Sequence, residues 1–537
     1  GNPIMANKLK KYLSALLAFL MLVTAAGCAL SGSEEAGEED VNVQGENSAG
    51  EPLPERKAVD NVMTLNFDAE SSLNPLSTDS ELNLILAPLV FETLFDVDEN
   101  FICTPKLVKE YRSEDGKCWY FYVDTTVKFH DGTTLTAQDA AYSIQRAMNH
   151  KYYRARLSNI LGVSAMDDEL FIINLIKPNT QFPALLNIPV IKYGAINEEA
   201  PAGTGPYKFS GDLKSLVVFK EHPDADKLPI DVIYLKDFST AEETIMAFED
   251  AELDLVVNDP TGISNLGFGS ANQIRYFNTT SMHYLGINMN SSFLRYTVPR
   301  YALNFAVDRS TIVSEFMKGS AAESPLPISP ASYLYDGEYA SSFKYDLEKC
   351  LKILENADVK DHDDDGKLEY LVTGIPIEIN LTFIVNNDSD AKVQAARLIA
   401  GTLNDMGITV KLKELSWDDY VEALENGDFD IYYGEVKLTA DFDPSSLLLE
   451  GGSLNYCSVA DPSYESFITD YLCASDEDRQ KCGDVMWRYI LETSPIITIC
   501  FEKQEVVTHR GVVSGLKPTQ YNIFNKFTEW TINLGEE

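Results

Sequence analysis

With 537 residues the chain is longer than one hydrophobic core organises, and its length points to roughly three domains. Its 45% hydrophobic and 11% aromatic content can fill several cores, which excludes a disordered chain. Lys and Arg number 43 against 83 Asp and Glu, a formal net charge of −40, which argues against nucleic acid and against adsorption to an anionic bilayer and favours a soluble, self-repelling body.

The first stretch reads as an address. Lys8, Lys10 and Lys11 form a basic region, Leu13 to Val23 is an apolar run too short to span a bilayer comfortably, and Ala25-Ala26-Gly27-Cys28 follows. These residues resemble a bacterial lipoprotein signal peptide, in which small residues precede a cysteine that is lipidated and begins the mature chain. Ala25 stands where Leu is usual. The expectation is a signal peptide over 1–27, then a lipidated Cys28 and an acidic, Gly/Ser-rich flexible tether over 28–58. A plain secretory signal would give the same compartment without the anchor.

From Val62 the apolar content rises. Residues 118–129 alternate as a strand ending at Phe129, with His130-Asp131-Gly132 as a turn. Thr136 and Asp139 make a capping box that opens a helix through Met148. Farther on, Ile377, Ile379, Leu381 and Phe383 alternate as a strand, and Asp390 to Met406 is a helix stopped by Gly407. A strand over Ile408, Val410 and Leu412, a short helix from Trp417 to Glu425 and a strand from Phe429 to Tyr433 complete two crossover units. Such units build a parallel sheet, and ligands sit beyond the carboxyl ends of its strands. The stretch after Tyr433 carries Glu435, Asp441 and Asp443 before Pro444, so its acidic side chains are expected to face a cleft. Read locally, Asp441-Phe442-Asp443 is an ordinary polar turn.

Other chemistry is sparse. The six histidines form no metalloprotease motif, and the chain has neither a nucleophile elbow nor a phosphate-cradling loop, so no catalytic residue, enzyme activity or cofactor is expected. Asp361, Asp363 and Asp365 alternate before Gly366 like the first half of a calcium loop, with Glu369 able to contribute. Val372 stands where the bidentate Glu belongs, and a solvated acidic turn is the simpler reading. Setting Cys28 aside leaves an odd number of cysteines; Cys350 falls on an apolar helix face, while Cys103 with Cys118, and a pair among Cys457, Cys473 and Cys482, are candidate bridges.

Four motifs in order carry a wider resemblance. Val127-Lys128-Phe129-His130-Asp131-Gly132-Thr133-Thr134-Leu135-Thr136-Ala137, Gly203-Thr204-Gly205-Pro206-Tyr207, Arg300-Tyr301-Ala302-Leu303-Asn304-Phe305-Ala306-Val307-Asp308-Arg309 and Phe429-Asp430-Ile431-Tyr432 resemble the signatures of bacterial extracellular solute-binding proteins of family 5, the oligopeptide, dipeptide and nickel type. The resemblance implies an α/β, two-lobed periplasmic-binding-protein-like fold of type II, with an extra subdomain and a central ligand cleft. It implies lobe I over 59–83, 200–277 and 503–537, an inserted subdomain over 84–199 and lobe II over 278–502. The implied function is a monomeric binding lipoprotein on the outer face of the cell membrane, extracellular or periplasmic, that delivers peptides to an ABC permease. An oligosaccharide, a nickel complex or another solute, or a peptide-sensing role, are the alternatives. In the family's peptide-binding members an aspartate of the loop pairs with the ligand ammonium, and Asp441 is the match, with Asp443 and Phe442 beside it. Glu435 and Lys437 stand where the family's basic residue is sought. Thr78, Asp79 and Ser80 match the segment that pairs with the peptide backbone. Tyr153 and Arg156, and Phe501, fall at the cleft wall.

Overall fold

A computed structural model of the chain describes residues 59–262, 265–268 and 272–535; the leader, Cys28 and the tether lie outside them. In chain order the elements are β1 (Met63–Asn66), α1 (Glu81–Val90), β2 (Val108–Arg112), β3 (Cys118–Val123), α2 (Ala137–Ala147), β4 (Ile160–Ala165), β5 (Leu170–Leu175), β6 (Tyr207–Phe209), β7 (Ser215–Val218), β8 (Val232–Lys236), α3 (Ala241–Glu249) and β9 (Leu255–Asn258). The long β10 (Gln273–Ile287) is followed by β11 (Ala321–Glu323), β12 (Asn380–Asn386), α4 (Asp390–Asp405), β13 (Thr409–Leu415), α5 (Trp417–Asn426) and β14 (Ile431–Lys437). The last large elements are α6 (Pro462–Leu472), α7 (Arg479–Thr493) and a second long strand, β15 (Ile496–Thr508).

Local chemistry explains the crossover units. Ser416 caps α5 by accepting the Asp419 N–H, and Gly427 ends it in the left-handed conformation at φ 72°. Gly407 turns the chain out of α4 at φ 93°. With the helices thus bounded, β12 pairs in parallel with both β13 and β14. The capping box at the start of α2 is formed as well, the Asp139 carboxylate accepting from the Thr136 N–H and hydroxyl at 2.8 Å each.

The principal sheet has the order β13-β12-β14-β10-β15-β9-β1-β8-β7-β6, with β11 paired to β15. Its two ends belong to two lobes, and β10 and β15 run through both. Residues 273–278 of β10 pair with 503–508 beside β9, whereas residues 282–286 pair with 496–501 and residues 281–287 pair with β14. The register breaks between Asn278 and Met282, where the sheet passes from one lobe to the other. A separate four-stranded sheet, β2-β3-β5-β4, packs with α2 beside the first lobe. Two large apolar cores follow this division, one around Phe383, Tyr432 and Trp487, the other around Phe121, Phe171 and Tyr207.

Three element expectations differ from the structure. The run through Ile377 and Phe383 is two strands, because Ile375–Glu378 folds back on Glu369–Val372 as a hairpin and leaves Ile377 40% exposed. β3 stops at Val123 rather than Phe129; the later residues turn through a short irregular loop closed by a Lys128–Thr134 bridge and by the bonds of the Phe129 N–H to the Thr133 carbonyl and the Leu135 N–H to the Val127 carbonyl. β14 runs on to Lys437 because β10 offers it partners from Ile287 to Ser281. The candidate disulfides are absent: all seven described cysteines are free thiols. Cys457 is buried against the Tyr432 hydroxyl and Cys473 lies by the Pro178 carbonyl. Cys350 is fully buried on its helix.

The motifs are structural joints. Gly203 and Gly205 lie so close to α1 that a Cβ would stand 2.0 Å and 2.7 Å from the Val90 carbonyl oxygen. His130 ties the first motif to the second, accepting from the Gly203 N–H at Nδ1 and meeting the Gly205 carbonyl at 2.9 Å through Nε2. Arg300 donates to the Thr493 and Leu294 carbonyls and Arg309 to those of Thr498 and Asn304, so both buried guanidiniums clamp backbone around the core of Phe383 and Trp487.

Candidate functional site

The site is built on the end of β14. Lys437 stands opposite Ser281 of β10, and the Leu438 N–H donates to the Thr280 carbonyl at 3.0 Å, which fixes where the loop 438–444 leaves the sheet. The turn itself is made by Phe442 at φ 51°, a conformation side chains rarely adopt, held by packing. Its ring meets Phe101 edge-on at 5.1 Å and Phe501 at 6.2 Å, and Phe442 and Phe501 are both fully buried. The Phe442 ring therefore meets Phe101 of an earlier segment and Phe501 of β15.

Asp441 is 2% exposed. Its Oδ2 accepts from Asn179 Nδ2 at 2.9 Å, and its Oδ1 from the Thr439 hydroxyl and, at 3.4 Å, from the Asp443 N–H. The Tyr471 hydroxyl donates to its main-chain carbonyl at 2.7 Å. Burial raises the Asp441 carboxyl above the usual carboxylate range, against the pull of the Thr439 and Asn179 bonds. Asp443 is pushed up to about 6, first by burial and then by the charge of Asp441, although Ser445 bonds its Oδ1 through both N–H and hydroxyl.

Lys437 and Arg156 lie near enough for their like charges to oppose each other. Arg156 lies over the Tyr153 ring at 5.2 Å and the Tyr521 ring at 5.8 Å, and its Nη1 donates to the Asn187 carbonyl at 3.3 Å. Lys437 keeps exposed surface, yet the protein crowded around it lowers its pKa, and the Arg156 charge lowers it further. Glu81, in the first turn of α1, acts in the opposite sense.

The other predicted residues are placed differently. Thr78 is buried, its N–H donating to Asn74 and its carbonyl meeting His150 Nε2 at 2.9 Å. Asp79 gives its carbonyl to the Tyr152 hydroxyl, and the Ser80 side chain caps α1. The backbone of Thr78 to Ser80 is thus largely engaged within the protein. Glu435 pairs with Lys392 at 2.7 Å rather than standing free. Asp361, Asp363 and Asp365 bring ligand oxygens within 4.8 Å of one another and of Glu369, but Asp361 accepts from the Asp365 and Gly366 N–H groups and Glu369 from that of His362.

Sequence reasoning passed over one cluster. His283 is buried on β10, with Nδ1 at 2.8 Å from the Tyr433 hydroxyl and Nε2 at 2.6 Å from Glu502, and both His283 and Glu502 lie within 4.8 Å of Glu435. Thr261 donates to Glu502 at 3.1 Å and its carbonyl accepts from Ser389, so the cluster joins the loop after β9 to the start of α4. A polar residue inside the otherwise apolar run Met282 to Ile287 was the available signal.

A mixed sheet whose two long strands run through both lobes, with charged side chains gathered where β14 ends, defines a two-lobed solute-binding protein. The chain belongs to family 5 of the bacterial extracellular solute-binding proteins, whose middle region matches residues 103–452. It is 22% identical over 519 residues to the oligopeptide-binding protein AppA of Bacillus subtilis, covering 91% of this chain and 93% of that one. It is 24% identical over 434 residues to the periplasmic oligopeptide-binding protein OppA of Salmonella typhimurium, covering 73% and 77%. Among solved structures, a nickel ABC transporter protein from Bacillus halodurans superposes with a TM-score of 0.69 at 20% identity, covering 86% of this chain and 98% of that one. Among the described residues no helix is long and apolar enough to cross a membrane.

Proposed function

We propose that this chain captures extracellular peptides between its lobes and delivers them to the permease of an ABC importer, held at the membrane by a lipid on Cys28. The observation that carries the reading is the near full-length match to a relative named as an oligopeptide-binding protein. Closure would bend the register break of β10 and β15, the covalent path shared by both lobes. Asp441 is the ammonium anchor of the proposal: its protein partners take three of roughly four lone-pair positions, leaving one on Oδ2. A charge-assisted bond to a desolvated ammonium there contributes about 1.5–3 kcal/mol.

Native mass spectrometry of the purified protein, followed by denaturation, tests the ligand class. Release of peptides varied in sequence supports the proposal; a single sugar or metal chelate keeps the fold and overturns the substrate. For the anchor, Asp441→Asn is expected to weaken a peptide with a free amino terminus about tenfold or more while leaving its N-acetylated form little changed. Equal losses for both remove Asp441 from that role.

A further inference from the structure

The acidic loop 361–366 carries more negative charge than its surroundings balance. Asp361, Asp363 and Asp365 offer carboxylate oxygens that lie within 4.8 Å of one another and of a Glu369 oxygen. The lysines that flank the loop are engaged elsewhere, Lys360 with Asp358 at 3.0 Å and Lys367 with Glu378 at 2.8 Å. His362 turns its ring to the Asp358 carbonyl at 3.3 Å. Among the described residues no cation pairs with any of the four carboxylates.

Glu369 separates this cluster from a solvated turn. It belongs to the hairpin rather than the loop, and its backbone is fixed on both sides: its N–H and carbonyl bond Lys360, and it stands opposite Glu378. The residue is only 4% exposed, yet its carboxylate accepts a single hydrogen bond, to Oε2 from the His362 N–H at 2.7 Å, and Oε1 has no partner among the described residues. A buried carboxylate with one neutral donor and no counter-ion is unfavourable until a cation completes it. The aspartates have capacity left as well. Asp361 accepts from the Asp365 and Gly366 N–H groups at 3.2 and 2.8 Å, Asp365 from the Lys367 N–H at 2.8 Å, and Asp363 from no described residue, whereas each carboxylate has about four lone-pair positions.

We infer that Asp361, Asp363, Asp365 and Glu369 bind one calcium ion, which pins the hairpin and the loop to the amino ends of β12 and β13. Oxygens at 2.3–2.6 Å from calcium lie at most about 5 Å apart, so the four carboxylates already fall within one coordination shell. Magnesium, which demands a smaller octahedral shell and keeps several waters, suits four carboxylates less well. Val372, where the loop pattern calls for a bidentate Glu, is 40% exposed; Glu369 takes its place because the hairpin turns that side chain inward. The Leu368 N–H donates to the Gly407 carbonyl at 2.8 Å, and a Cβ on Gly407 would stand 2.7 Å from the Gly366 carbonyl oxygen, so the loop lies against the turn between α4 and β13. That turn precedes β13 and the hairpin precedes β12, whereas the candidate ligand loop follows the carboxyl end of β14, which runs parallel to β12. The ion's role is therefore structural, and the inference stands apart from the peptide reading.

The test uses the full chain, freed of metal with a chelator and titrated with calcium chloride or magnesium chloride; calorimetry reads the melting temperature and native mass spectrometry the stoichiometry. Wild type should take up one calcium per chain and melt about 2–3 °C higher at about a hundred times the dissociation constant, with a smaller shift in magnesium. Asp363→Asn removes a ligand charge without removing a hydrogen bond of the turn. It should weaken calcium about tenfold or more, and in chelator it should melt no lower than wild type, because fewer like charges crowd the loop. Glu369→Gln keeps the oxygen that accepts from His362 and should weaken calcium likewise. No calcium uptake by wild type, a shift no larger in calcium than in magnesium, or a shift kept in full by both variants overturns the site. Asp363→Asn melting below wild type by the same amount in chelator as in calcium makes Asp363 a turn residue only, and overturns it too.

Discussion

The carboxylate of Asp443 gives the sharpest quantitative handle on the cleft loop. It is enclosed beside Asp441, and its pKa of about 6 stands about two units above the ordinary value of 3.8. A raised folded-state pKa means that the folded chain holds the proton more tightly than the unfolded one. The stabilisation is fully present below the unfolded pKa and is lost as pH rises through about 6. Integrating between pH 4.5 and 7.5 gives about 2 kcal/mol lost from this group. In Asp443→Asn the side-chain oxygen that accepts from Ser445 is kept and the titration is removed. Relative to wild type, the variant should therefore be about 2 kcal/mol better off at pH 7.5 than at pH 4.5. The unfolding entropy, about 2 cal/mol/K per residue, sums to about 1 kcal/mol/K for a body of this length, so calorimetry should show a relative gain of about 2 °C. A difference between variant and wild type that is the same at both pH values would refute the argument, because it would mean that Asp443 titrates alike in the folded and unfolded chains.

Gly203→Ala drives a Cβ into the Val90 carbonyl and should lower the melting temperature by about 1–3 °C or more, corresponding to 1–3 kcal/mol of overpacking; an unchanged melt would show that α1 yields freely. Arg309→Met leaves the Thr498 and Asn304 carbonyls without a donor and should cost about 3 kcal/mol, also read by calorimetry. Alkylation of the native protein at pH 8 should label the exposed Cys473 first and spare Cys350, Cys457 and Cys500, whose burial pushes their thiols well up. In denaturant without reductant all seven described cysteines should react, and any shortfall in even numbers would reveal a disulfide.

What was legible in the sequence is what neighbours decide. The capping box of Thr136 and Asp139, the glycine stops at 407 and 427 and the apolar period of α4 are local, and the helices lie where those signals put them. The parallel pairing of β12 with β13 and β14 followed from the alternation of strand and helix. Strand ends were not legible. Alternation runs unbroken from Ile375 through Phe383, and only pairing with Glu369–Val372 decides that the chain changes sheets near Ile379. Likewise β14 owes its last residues to β10, more than a hundred positions earlier.

The candidate loop could be picked out in the sequence but its contacts could not, and the reason is sequence distance. Asp441 was singled out because it resembles the family's loop aspartate after a strand end, yet its partner Asn179 is 262 residues away and has no motif of its own. His283 and Glu502, separated by 219 residues, meet because β10 and β15 are paired along their length. These long-range bonds give the cleft loop a double load. Phe442 packs on Phe101 and Asp441 bonds Asn179, so the loop that carries the candidate ligand residues also carries contacts to the segments before β6. A ligand that drew the Asp441 carboxylate away from Asn179 would loosen that contact, whereas one that took its remaining lone pair would reinforce it. Under the proposed anchoring role of Asp441, ligand binding and the Asn179 contact are coupled through one side chain, and a substitution at Asn179 should alter ligand affinity without touching the ligand.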